Sequence, residues 1–291
     1  MWKLLQIELY KMFRRPRTYI SFSAISALIF VVQIGLKADG KEYIDFVLSG
    51  LKDSIDIDGN MLNGYFVCYV VLQLLLIHVP LLIALIAADM ISGEANMGTL
   101  RLMVTKPISR EQFILAKFLA SAIYTLLLLI WIAIIGLFLS LWIFGGGDLF
   151  VAKNSYGVQL RGDDVFWRYC GAFCFAYLSM LTVAAVGFFT SLFAENSIGP
   201  IVTTMSIVIF FTIISTMSIP IFQKIQPFLF TTHMVNWKEF FDEKVNDNNE
   251  AIIGSIQNPQ RIINSAIILL GHIVGLLGLS MYLFKKKDVL S

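Results

Sequence analysis

The sequence predicts an all-α membrane protein with six transmembrane helices, and three observations predict it. Of its 291 residues, 57% are hydrophobic. Only 14% are charged, where a soluble domain carries about 25%. The apolar residues also come in long blocks rather than at helical or strand spacing. A helix needs about 20 apolar residues to cross the hydrocarbon core. Six stretches free of Asp, Glu, Lys and Arg meet that need, at about 18–36, 66–88, 118–144, 171–194, 198–222 and 262–284. The simplest organisation is one transmembrane domain over 1–291. The net charge of +2 and the scatter of basic residues exclude a nucleic-acid binder, which concentrates its basic residues on one face. Three cysteines are too few for a disulfide framework.

Lys and Arg accumulate on the cytoplasmic side of membrane proteins. With both termini inside, the inner segments carry 12 of them in 56 residues and the outer loops 10 in 93. The count puts both termini in the cytoplasm, and the expected location is a bacterial cytoplasmic (inner) membrane, crossed several times. A secretory signal over 1–36 is disfavoured, because its apolar block is longer than the ~7 to 15 residues of a signal core and no small-x-small site follows.

Residues 1–17 read as an amphipathic elbow. At 100° per residue Trp2, Leu5, Leu9, Met12 and Phe13 share one arc, with Lys3, Lys11, Arg14 and Arg15 on the other side. Such a helix lies in the inner interface, and Pro16 marks its turn into the first span. After that span, Gly35 to Lys41 imitates a P-loop. Glu42 stands where a Ser or Thr must bind magnesium, and no buried strand precedes the run. The energy source is thus expected on a separate polypeptide.

The loop 89–117, DMISGEANMGTLRLMVTKPISREQFILAK, is the most informative. Met97, Leu100 and Val104 predict a short helix with one apolar stripe, closed by Lys106 and Pro107. Ser109 and Gln112 form a capping box and Ile108 and Phe113 a hydrophobic staple, so a new helix starts near Arg110. Running into the third span to Phe144, it would be roughly 50 Å long against a core of ~30 Å, and its base should project. A short capped helix beside a projecting span is a docking surface for a cytosolic partner.

The runs Ser92-Gly93-Glu94, Gly98-Thr99-Leu100-Arg101, Lys106-Pro107-Ile108-Ser109-Arg110 and Lys117-Phe118 resemble the signature of type-2 ATP-binding-cassette (ABC) exporter permeases. The amphipathic start, the six-span layout and the tail from Phe284 to Val289 are similar to that family as well. The resemblance implies a coupling helix over 94–105 that sits in a cleft of an ATPase, with Glu94, Gly98, Thr99, Leu100, Arg101 and Val104 as coupling residues, and an elbow carried by Trp2, Leu5, Leu9 and Phe13. It also implies two copies of a cytosolic ABC ATPase, which hold ATP and Mg, and a second permease copy or sister permease. This chain itself is expected to bind no cofactor or metal, to contact membrane lipid but no nucleic acid, and to have no catalytic residues. In the family the outer loop, here 223–261 with its mixed aromatics and charges, forms short helices over the outer end of the pathway.

Other chemistry is thin. No H-E-x-x-H or G-x-S-x-G occurs. Cys170 and Cys174 stand four apart, a spacing of small-residue packing as much as of a soft-metal pair. His78 and His272 lie within spans, where an ionisable group is a functional candidate, although a neutral imidazole is also satisfied by another helix. Gln33 and Gln73 are expected to bond across helices, and Gly271 and Gly275 permit close helix approach. The competing classes are an ion-gradient-driven secondary transporter, disfavoured by spans without carboxylates, and a membrane enzyme or non-transporting subunit.

Overall fold

The computed structural model describes residues 1–48, 61–100, 108–152, 157–246 and 251–287. Six helices among them are long and apolar enough to cross a membrane: Pro16–Phe46, Gly64–Asn96, Arg110–Phe144, Gly162–Phe193, Ile198–Thr216 and Pro259–Lys286. In finer detail, α1 is Trp2–Phe13, α2 Pro16–Leu48, α3 Gly64–Ala87 and α4 Asp89–Asn96. The third span is α5 (Arg110–Ile132), a π turn (Ala133–Phe138) and α6 (Leu139–Phe144). The fourth is α7 (Gly162–Thr190) and the fifth α8 (Ile198–Thr216). After the short α9 (Pro220–Gln223) and α10 (Phe230–Met234) comes the sixth span, α11 (Pro259–Lys286).

Local sequence fixes several of these boundaries. Pro16 and Pro259 take first-turn positions, where the missing N–H costs nothing. Asn63 and Ser109 cap α3 and α5, accepting from the amides of Phe66 and Gln112 at 3.1 and 3.2 Å. The capping box thus starts a helix at Arg110, as the sequence predicts. Two lysines in the last turn of α11 and two aspartates in the first turn of α7 complement the helix dipoles.

Three boundaries stand out against the apolar count. The first helix runs on to Leu48, bending at Asp39 (φ −123°, ψ 23°), because charged residues after 36 end an apolar block without ending a helix. Gly35 to Lys41 is therefore helical and makes no phosphate cradle. The fourth helix begins at Gly162 instead of 171, since Arg168 is neutralised inside the protein. The fifth ends at Thr216 instead of 222: the residue before Pro220 is extended, as proline demands. In the loop 145–169, β1 (Leu149–Ala152) and β2 (Gly157–Leu160) form an antiparallel hairpin with Leu149 opposite Leu160. It is a small departure from an all-α chain.

The fourth span is central, packing against the second, third, fifth and sixth. Of its most apolar window 61% is buried, against 28%, 22% and 17% for the first, fifth and sixth spans. Those outer spans turn apolar side chains such as Val31, Ile34, Phe210 and Val274 to the surface. Water disfavours such a surface and lipid does not. A large core runs along spans two, three and four, and a second core, including Leu5, Ile91, Phe113, Phe188 and Phe284, lies at one end. That end carries α1, α4, the start of α5 and the last turn of α11. It is here called the terminal end.

Several polar groups within the spans find partners in their own helix or a neighbouring one. Gln33 Nε2 reaches across from the first span to the Ile135 carbonyl (2.7 Å) inside the π turn and to Ser140 Oγ (2.9 Å). Gln73 instead pairs with Tyr69 of its own helix. His78 and His272 donate from Nδ1 to carbonyls one turn back in their own helices, Leu74 and Ile268, rather than to another helix. Cys170 and Cys174 are both exposed. Gly271 and Gly275 face open space, so they mediate no close approach among the described residues.

Candidate coupling site

The terminal end is organised by a ring of four charges. Lys11 Nζ lies 2.7 Å from Glu8 Oε1 and 2.7 Å from Glu94 Oε1. Lys117 Nζ closes the ring at 2.8 Å from both Glu8 Oε2 and Glu94 Oε1. The side chains of Lys117, Glu94 and Glu8 are only 1%, 3% and 5% exposed. Charges so buried persist only when paired, and here two carboxylates and two ammoniums cancel. The ring joins α1, α4 and α5, and Lys117 also stands 5.0 Å over the Phe113 ring. Burial alone would lower the Lys11 pKa, but Glu8 and Glu94 overcome it and hold the group above its ordinary value.

A second knot lies beside it. Arg15 and Arg17 reach the two oxygens of Asp89 at 2.6 and 3.1 Å. The Asp89 carboxylate lies across Gly93, where an added Cβ would sit 2.5 Å from Oδ1, so that glycine makes room for the pair. Arg110 then donates to the carbonyls of Phe284, Lys285 and Lys287 at 3.1, 3.1 and 2.7 Å, satisfying the open end of α11. Phe113 stacks on Phe284 and Phe118 meets Phe188 edge-on. Lys287 in turn donates to the Leu192 carbonyl. The ends of α1, α3–α4, α5, α7 and α11 are thereby one packed body.

The positions singled out from sequence divide as follows. In α1, Leu5 and Met12 are buried, Leu9 and Phe13 half-buried, and Trp2 exposed. Lys11 is half-buried and turns toward the ring instead of standing on a fully exposed basic face. Glu94 is inside the protein, in α4, and meets no solvent-facing surface. The helix ends two residues after it, at Asn96. Gly98 has φ 69°, a left-handed conformation that favours glycine, and Thr99 Oγ1 donates to the Glu94 carbonyl at 3.3 Å. Helical residues resume at Thr99. Met97 is exposed and Leu100 buried in the second core, so they do not share the predicted stripe. Arg101 and Val104 lie outside the described residues.

Two functional-looking residues escaped the sequence reading. Glu8 is the lone carboxylate in a basic amphipathic helix, and that anomaly was its available signal. Arg168 stands at the opposite end with no exposure at all. It donates to Asp164 through Nε (2.9 Å), to Glu243 (3.0 Å) and to the carbonyls of Phe240 and Ser255 (2.8 and 2.9 Å). It thereby fastens the segment between the fifth and sixth spans onto the fourth. The Phe240 ring enters the gap left by Gly171, whose added Cβ would stand 2.5 Å from it. Burial, and then the neighbouring Asp164, push the Glu243 carboxyl above its ordinary value despite Arg168.

A protein of Bacillus subtilis (strain 168), the uncharacterised YhcI, is 32% identical over 118 residues, 39% of this chain and 37% of that protein. The matched segment thus spans under two fifths of the relative's length. A family model described as "ABC-2 family transporter protein" matches residues 2–289. Nearly the whole chain, with its six membrane-spanning helices, is matched, and the protein belongs to the ABC-2 family of transporter proteins.

Proposed function

We propose that this chain is the membrane-spanning permease subunit of an ABC exporter, driven by a separate cytosolic ATPase that holds ATP and Mg. In this reading the terminal end faces the cytoplasm of a bacterial cell, α1 is the elbow, and 94–105 is the coupling segment, whose helix starts after the Gly98 turn. Because one chain supplies six helices, the working unit is a dimer of permeases with two ATPases.

The observation that carries this reading is the buried ring of Glu8, Lys11, Glu94 and Lys117. A push from a partner is transmitted only by a body that does not deform. Breaking one buried pair costs about 3–5 kcal/mol, so the ring makes α1, α4 and the base of α5 move together. Glu94 acts in coupling as a positioning residue, holding Gly98, Thr99 and Leu100 at the start of the coupling helix. Arg101 and Val104 are assigned to the partner-facing part. At the other end the Arg168 cluster keeps the outer segment closed over spans two and four until the lower body shifts.

Co-expression with a cytosolic ABC ATPase encoded beside this protein tests the reading. The two should co-purify, and the permease should raise ATP turnover. Arg101→Ala should weaken the stimulation without unfolding the permease. Absence of a complex and of stimulation contradicts the proposal.

A further inference from the structure

We propose that the furrow along the first turns of α2, headed by Arg14 at the C-terminal cap of α1, seats one anionic phospholipid, its phosphate on Arg14 and its acyl chains along the first span. The furrow is open, about 690 Å³ in volume, and lined by Arg14, Pro16, Tyr19, Ile20, Ser23 and Ala24. Pro16 makes the corner at which the two helices diverge.

Charge identifies the headgroup. Lys11, Arg15 and Arg17 are committed to Glu8, Glu94 and Asp89. Arg14 has no carboxylate partner among the described residues, and its guanidinium rests 5.1 Å over the Tyr10 ring. A guanidinium free at the mouth of a furrow matches the oxygens of a phosphodiester. The neighbouring carboxylates are already paired, so the cationic group of a zwitterionic headgroup gains nothing here. Beneath Arg14 the wall becomes apolar. Ile20, Ala24, Ala27, Val31 and Ile34 follow at helical spacing, and Val31 and Ile34 are each 69% exposed. A track of that kind under a lone cation fits a lipid rather than free phosphate, and Tyr19 and Ser23 line the same furrow with hydroxyls.

A second copy of the chain is the other candidate occupant, and charge argues against it. A two-fold contact brings the same patch together from both copies. Here that would oppose Arg14, which lines the furrow without a carboxylate partner among the described residues, to itself, and like charges across an interface are repelled.

The inference rests on the reading of α1 as an elbow at the cytoplasmic interface. Its test is lipid binding to the purified full-length protein, counted by native mass spectrometry with phosphatidylglycerol and with phosphatidylcholine. Phosphatidylglycerol should bind more tightly, and Arg14→Gln should weaken it about fivefold, the worth of one basic residue near an anionic surface. Lys3→Gln, exposed at the far end of α1, should change it less than about twofold. Equal losses in the two variants overturn the site, because they report diffuse attraction. Inorganic phosphate competing as well as the lipid, or efficient cross-linking of two copies through Ser23→Cys, overturns the assignment to lipid. A cysteine at Gln6 labelled only from outside the cell removes the underlying orientation. Inside labelling with no Arg14 dependence removes the lipid seat alone.

Discussion

Each of the four side chains in the ring depends on the other three. Lys117→Met leaves Glu8 and Glu94 with a single half-exposed lysine between them, and is expected to destabilise the protein by about 3–5 kcal/mol, read from denaturant unfolding in detergent. Lys3→Met, on the exposed side of α1, should stay within about 0.5 kcal/mol. Two pH effects follow at opposite ends. Lys11 is held above its ordinary value, so its contribution is complete below about pH 10.4 and is lost as pH rises through the still higher folded value. Glu243 is also raised. Its native site favours the protonated form, so stability is greatest below its ordinary value of about 4.3 and falls as pH rises through the folded value. Glu243→Gln keeps a group able to accept from Arg168 and should flatten that acid-side slope in thermal melts. A slope unchanged by the substitution would assign it to other groups. Glu94 and Lys117 stood out in the sequence as parts of a recurring loop signature. Their inward orientation did not, because a motif reports which residues recur and not which way they face. Glu8 went unread because only the fold brings it to residues 86 and 109 positions away.

The helices themselves were largely legible. Every span is an unbroken apolar block, which is how lipid constrains a chain. Their ends were not, for a physical reason: charges end an apolar count, whereas a helix continues past a charge that is paired, as at Arg168, or exposed, as at Lys37. The capping box at Ser109 succeeded because capping is local. The π turn in the third span had no readable signal, since it depends on Gln33 from another helix. Gln33→Leu strands the buried Ile135 carbonyl and is expected to cost about 1–3 kcal/mol. Loss of the bond should also show as faster amide exchange at Leu139, next to the turn. Gly64 is more demanding. An added Cβ there would lie 2.5 Å from the Leu141 backbone, so Gly64→Val should separate α3 from α6 and lower the melting temperature more than Gly35→Ala, which faces open space.

At the scale of the molecule, a charged body at the terminal end and a fastened segment at the far end are joined by long helices, the third span alone having 35 residues. Cys68 is buried beside Tyr169, whose ring meets Phe241 of that segment. With Cys170 and Cys174 replaced by serine, it should resist a membrane-impermeant maleimide applied from outside. Arg168→Met should make it reactive, and equal protection in both proteins would deny the cluster its closing role. The central claim is that the terminal end is a cytoplasmic foot on which an ATPase acts. The most direct measurement is the labelling of a single cysteine at Asn96, which is exposed at the end of α4, with the three native cysteines replaced. The account predicts reaction from the cytosolic side only, with protection when the ATPase is bound. Reaction from outside the cell, or labelling indifferent to the ATPase, would contradict it.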